Sequence, residues 1–250
     1  MMWFASLQAT GSARRRRARR LSDAVRASLI RPAVADDEGT HDRTTVVGVH
    51  PVRVLLFGSG PLIGYGVEQR HDAIDGPLAQ LVANGLGRGV TVERRVRVRS
   101  PIREAVRSLG GAGTATFCAA VWAPQFGEEL VRAGRSRADV RAMLHEFREQ
   151  SDVPLVLCEL PVPLGSDWRT LLRRPRVARF NQMLAAEARA STRVTVVAAG
   201  GYEPATAATT VGREWHHALA ARVAPAVLAS VPHLRASSGT RTASGSPAAR

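Results

Sequence analysis

Apolar and polar positions follow two rhythms along this chain, and each change of rhythm marks an element. Val52-Arg-Val-Leu-Leu-Phe57 is a short apolar run ending in a Gly-rich turn, Gly58-Ser-Gly-Pro-Leu-Ile-Gly-Tyr-Gly66. A run of that length bounded by turn residues reads as a buried strand. A helix follows, from the turn or from Pro77 through Leu86, with Gly85 and Gly87 as its stop. Val90–Val98 alternates apolar and polar, the pattern of a half-exposed edge strand. Ile102–Leu109 reads as helix, and Ala115–Trp122 as a strand buried by its continuous apolar character. Ser136–Gln150 sets Val140, Leu144 and Phe147 on one helical face, with Ser136 as its cap. Pro154–Leu160 is the next strand, Pro175–Ala190 a helix, Arg193–Ala198 the last strand, and Gly212 to about Leu228 the final helix.

Strands separated by helix-length segments imply right-handed βαβ crossovers, and so a mostly parallel sheet in an α/β fold. In such sheets a ligand sits at the carboxyl ends of the strands. That draws attention to four segments, Gly58–Gly66, Ala123–Gly127, Pro161–Gly165 and Gly200–Thr210.

Composition narrows the picture further. At 250 residues the chain suffices for one α/β domain with a sizeable core. No stretch approaches about 20 consecutive apolar residues, so no membrane-spanning helix is expected. Cys118 and Cys158 lie inside apolar runs, which argues against a disulfide framework or a cysteine zinc site. No His-x-x-x-His and no carboxylate cluster has ligand spacing, so neither a metal nor another cofactor is expected.

The 35 basic residues, all Arg, outnumber 21 acids for a net charge of +14, and much of the excess sits at the two ends. Arg14, Arg15, Arg16, Arg17, Arg19 and Arg20 precede Leu21–Ile30, whose apolar residues fit one helical stripe. Pro32 ends that stripe, and an acidic patch, Asp36-Asp37-Glu38, follows. Asp23 and Arg26 interrupt what a signal peptide would need as an apolar core. The chain therefore divides into a basic, partly helical extension (1–50), an α/β domain (51–230) and a disordered basic tail (231–250). A cytoplasmic location is expected, with peripheral attachment to a membrane as an alternative. The Arg run reads as a solvated tail, or as a contact for the phosphates of anionic lipid or nucleic acid.

One element carries a family resemblance. Val54-Leu-Leu-Phe-Gly58-Ser-Gly-Pro-Leu-Ile-Gly64-Tyr-Gly66, followed much later by a Trp-containing last helix, resembles the SGNH (GDSL-type) hydrolases, serine esterases and lipases. The resemblance covers roughly residues 52 to 228 and implies a flavodoxin-like three-layer α/β/α sandwich. In that family the first strand ends in Gly-Asp-Ser-Leu ahead of a second Gly-x-Gly. Matching Gly64 and Gly66 places Ser59 at the Asp and Gly60 at the nucleophilic Ser. The oxyanion Asn of Gly-x-Asn-Asp falls on Gln125, and the segment after the second strand offers no oxyanion Gly. Counting back from Trp215, the closing Asp-x-x-His falls on Glu203 and Thr206. Leu160-Pro-Val-Pro163 and Arg179-Phe-Asn-Gln-Met-Leu184 also resemble the family.

Acyl transfer by a serine enzyme needs an activated hydroxyl, an oriented base and donors for the oxyanion, all at once. Gly60 has no hydroxyl and Thr206 no titratable nitrogen. His216 and His217 lie roughly 15 Å beyond position 206 if the intervening segment is helical. One of the pair is expected on the helix surface and the other partly packed. His71 falls in a solvated turn beside Asp72 and Asp75. The Gly-rich loop lacks the Lys-Ser/Thr of a phosphate loop and the third glycine of a dinucleotide fingerprint. The leading expectation is a pseudoenzyme that keeps the hydrolase fold and holds a small acyl or glycan-like ligand. The alternatives are an altered ester hydrolase using Ser59, with Gln125 as oxyanion donor, and a protein whose Arg-rich ends dock on an anionic membrane or nucleic acid.

Overall fold

A computed structural model of the chain describes residues 42–64, 67, 69–96, 102–109, 116–125, 133–202 and 212–231. Six strands form the main sheet: β1 (Asp42–Val46), β2 (Val52–Gly58), β3 (Val90–Val96), β4 (Ala119–Ala123), β5 (Leu155–Cys158) and β7 (Val194–Val197). Their order is β1-β3-β2-β4-β5-β7, and β1 alone runs antiparallel to its neighbour. The five parallel strands, counted along the chain, have the order 2-1-3-4-5 of flavodoxin-like sheets. Two short strands, β6 (Val162–Pro163) and β8 (Gly201–Tyr202), pair separately.

Helices cover both faces. Alternation along β2 sends Val54 and Leu56 to one side, where α1 (Asp75–Leu86) and α5 (Arg213–Ser230) pack. Leu55 and Phe57 point to the other, beneath α2 (Ile102–Ala105), α3 (Ala133–Gln150) and α4 (Trp168–Ala188). There Phe57 stacks on Phe147 with ring centroids 5.7 Å apart. Gly85 lies inside α1 rather than ending it, and a Cβ there would stand 2.8 Å from Leu228 Cδ1 of α5. Its small size sets the approach of the two helices. The left-handed Gly87 (φ 62°) supplies the stop.

Several expectations are corrected. The strand expected over Val90–Val98, observed over Val90–Val96, is not an edge strand, because β1 pairs along its outer side with Thr44 opposite Val92. Two polar positions of β3 are buried, Glu93 at 1% exposure and Arg94 at 7%, while Thr91 and Arg95 are half-buried. β1 itself comes from residues assigned to the N-terminal extension. Ser136 does not cap α3, which begins three residues earlier; it is buried within the helix. Residues 102–109 form a single helical turn and a separate 3-10 turn, Arg107–Leu109, rather than one helix. Pro175 does not begin α4, because the helix starts at Trp168 and accommodates the proline in its second turn. The start signal is Asp167, whose Oδ1 accepts the Thr170 backbone N–H at 3.1 Å.

Candidate functional site

Connections leave β2 and β4 in opposite directions, toward β3 on one side and β5 on the other. Between the carboxyl ends of two such strands a crevice opens, and ligands of doubly wound sheets bind there. Here Gly58 pairs with Ala123 across that point, and Ser59 N–H donates to Ala123 O at 3.1 Å. The loops beyond the two strands are thereby locked side by side.

Gly58 and Gly60 both adopt left-handed backbone, φ 107° and 56°. A side chain at Gly58 would press on the Trp122 ring, with Cδ1 at 2.8 Å. A Cβ on Gly60 would overlap the Pro124 carbonyl oxygen and stand 3.5 Å from Gln125 Cα. The structure sets Gly60 beside Gln125, and the Pro124 carbonyl oxygen fills the space that a Cβ at Gly60 would enter. Ser59 is fully buried in extended conformation at the start of the 3-10 turn Gly60–Ile63. Gln125 is half-buried at the mouth. Glu203 and Thr206 lie outside the described residues, as do Arg14, Arg15, Arg16, Arg17, Arg19 and Arg20.

Other groups hold this rim in place. Arg94 Nη1 donates to Ile63 O at 3.2 Å, tying the Gly-rich turn to β3. Asp75, at the first position of α1, accepts from the Thr44 hydroxyl at 2.5 Å, which joins the helix to β1. Arg213 Nε lies 3.1 Å from Asp72 Oδ1, fastening α5 to the turn Arg70–Asp72. His71 is exposed in that turn, as expected. His217 is exposed too, whereas His216 is completely buried and meets the Trp215 ring edge-on. Glu159, at the carboxyl end of β5, was not singled out by sequence; burial raises its carboxyl above the ordinary range. Its position directly after an apolar strand was the available signal. Burial pushes the Cys118 and Cys158 thiols up to about 11 and about 12, leaving both in the unreactive protonated form at neutral pH. Among the described residues no group of His, Cys, Asp and Glu has a metal-binding arrangement, and no helix is long and apolar enough to cross a membrane.

The exit of β5 depends on one side chain. Asn181 of α4 donates to Leu160 O and accepts from Leu160 N–H, each at 2.9 Å, while only 7% exposed. Asn181→Leu leaves both backbone groups buried without partners. The expected loss is about 2–4 kcal/mol in a urea titration. A loss under about 1 kcal/mol would show that water or a shifted loop replaces the amide.

This architecture, an α/β/α sandwich whose connections reverse between the first and third parallel strands, is similar in fold to solved esterases and lipases of the SGNH/GDSL type. Superposition on solved structures establishes that likeness at the level of fold. A carbohydrate esterase family 2 enzyme with a carbohydrate-binding domain from Corynascus thermopiles (Myceliophthora fergusii) matches with TM-score 0.55 and 12% identity over 72% of this chain and 67% of that one. The lipase Lip_vut3 from a goat rumen metagenome matches with TM-score 0.56 and 12% identity over 70% of this chain and 97% of its own. The salicylyl-acyltransferase SsfX3 of a tetracycline biosynthetic pathway matches with TM-score 0.51 and 14% identity, covering 72% and 56% respectively. No protein-family model matches the sequence, and no curated protein matches it either.

Proposed function

We propose that this protein is a non-catalytic relative of the SGNH-type ester hydrolases, using the crevice between β2 and β4 to hold a small acyl or glycan-like ligand. The observation that carries this reading is Gly60. By the sequence resemblance it falls at the family's serine, and the neighbouring Pro124 carbonyl crowds the space that a side chain there would enter. A triad missing its nucleophile loses most of its rate, and what remains is binding and oxyanion assistance. Gln125 retains an amide at the mouth, suited to hydrogen-bonding a carbonyl or hydroxyl of a bound molecule. The neighbouring folds include a carbohydrate esterase, a lipase and an acyltransferase, which supports ligands bearing acyl or sugar groups.

The test pairs a fluorophosphonate probe with a short-chain aryl ester. The wild-type protein is expected to show no covalent labelling and no saturable turnover, while the same ester and short oligosaccharides raise its melting temperature. Saturable hydrolysis that disappears in Ser59→Ala would overturn the reading, because it would make the buried Ser59 hydroxyl a working nucleophile.

A further inference from the structure

We infer that the first two turns of α4 form a docking surface for anionic lipid bilayers, independent of whatever occupies the crevice. Trp168, Leu171, Leu172 and Pro175 recur at i, i+3, i+4 and i+7 and so share one face of the helix. That face points outward: Trp168 is 66% exposed, Leu171 50% and Leu172 57%. The core contacts of α4 come instead from Val177, Phe180 and Leu184 on the opposite face. Leu164, 52% exposed, stands just before the helix in a loop that Arg174 ties down through Pro163 O at 2.8 Å and Gly165 O at 3.1 Å. Among the described residues, four of the seven large apolar side chains left in water fall within these nine positions.

Charge identifies the occupant. Arg173, Arg174, Arg176 and Arg179 follow along the same helix, whose first carboxylate is Glu187. Arg174, Arg176 and Arg179 have no carboxylate partner among the described residues. On α3, by contrast, Arg135 pairs with Asp139, and Arg137 and Arg141 both pair with Glu187. The carboxylate nearest in sequence, Asp167, is engaged at the helix start with the Thr170 backbone and hydroxyl. An outward Trp-Leu-Leu wedge beside unneutralised guanidinium groups has the composition of a helix that lies in a lipid interface. The apolar side chains enter the acyl boundary and the Arg heads meet phosphates. A second copy of the chain fits poorly, because a two-fold contact would set these arginines against one another. The surface lies at the carboxyl end of β5, the same end of the sheet as the crevice.

The experiment uses the full chain with vesicles of phosphatidylcholine alone and with about one-third phosphatidylserine, read by sedimentation and by Trp emission. Binding is expected to the anionic vesicles, with a blue shift that Trp168→Phe removes. Leu171→Gln with Leu172→Gln is expected to weaken partitioning roughly tenfold or more without lowering the melting temperature. Arg176→Glu with Arg179→Glu is expected to do the same, since each cation near a charged bilayer contributes about 1 kcal/mol, or roughly fivefold. Three results would overturn the proposal. One is no binding to anionic vesicles, and another is binding that salt releases but neither double variant changes, which would place it in the Arg-rich ends. The third is a concentration-dependent dimer that the Leu variants dissolve, which would make the surface a contact between copies.

Discussion

Replacing Gly60 by serine, the change that restores the missing hydroxyl on paper, is expected to destabilise the protein and produce no esterase. Two penalties combine. A non-glycine residue at φ 56° pays for left-handed backbone, roughly 1–2 kcal/mol. The new Cβ must also displace the Pro124 carbonyl, and forced overpacking of a rigid site typically costs a further 1–3 kcal/mol. A total of about 2–5 kcal/mol corresponds to a melting temperature lower by roughly 5–15 °C for a domain of this size. Gly60→Ala should fall as far as Gly60→Ser, because the first side-chain atom does the damage. The measurement is thermal and urea unfolding of both variants beside an aryl-ester assay. A Gly60→Ser protein as stable as wild type that hydrolyses the ester would mean the position is open, and the non-catalytic reading would fall with it.

Glu93 is the second position of large effect. Its side chain is 1% exposed, with Arg95 Nη2 and Arg53 Nη2 each 2.6 Å from a carboxylate oxygen and Arg43 Nε at 3.2 Å. Arg53 also stacks on Phe117, its guanidinium 4.5 Å from the ring centre, so the cations are fixed by more than the carboxylate. Glu93→Gln removes the carboxylate that these three cations share and leaves the nearly buried Arg95 and the partly exposed Arg53 facing a neutral amide. The expected loss is roughly 2–4 kcal/mol, below the full cost of breaking a buried pair because water screens Arg43 and Arg53. The pH dependence supplies a second check. Burial pushes the Glu93 carboxyl up, but hydrogen bonds and charge from Arg95 and Arg53 outweigh that and hold it below its ordinary value of 4.5. A carboxylate depressed in the folded state stabilises fully above its unfolded value, and that contribution drains away as pH falls through the folded one. The gap between wild type and Glu93→Gln should therefore be constant from neutral pH to about 5 and shrink in more acidic solution. A gap that stays constant to the lowest pH at which both remain folded would show that Glu93 is not titrating against these arginines.

The same cluster shows where a one-dimensional reading stops. Val90-Thr-Val-Glu-Arg-Arg-Val alternates as a half-wet strand does, and its period is right, since Val90 and Val92 enter the core. What alternation cannot state is whether the polar face meets water or another layer. β1 arrives from more than forty residues upstream to pair with β3, and the arginines of three strands close over Glu93. The start of α4 was hidden for a local reason. Pro175 is a strong punctuation mark, and it outweighed the quieter cap at Asp167. The outward apolar face of α4 escaped for the same reason, because beginning the helix at Pro175 discards Trp168, Leu171 and Leu172.

The crevice divides along similar lines. The strand pattern alone was enough to put Gly60 and Gln125 just past the ends of their strands, since a parallel sheet with short turns leaves little freedom where each strand ends. That Gly60 lacks a hydroxyl is a property of the sequence. That a side chain there would crowd the Pro124 carbonyl is a property of the structure, because it depends on where that carbonyl points after β2 and β4 pair. In the same way, the order of strands and helices along the chain prescribed an α/β sandwich, each apolar run having one way to hide from water. The completion of the sheet by β1, the burial of Ser59 and His216, and the outward turn of Trp168 were settled by tertiary contacts. Each depends on a partner distant in sequence, and hydrophobic periodicity reports only which positions share a face, never what lies against it.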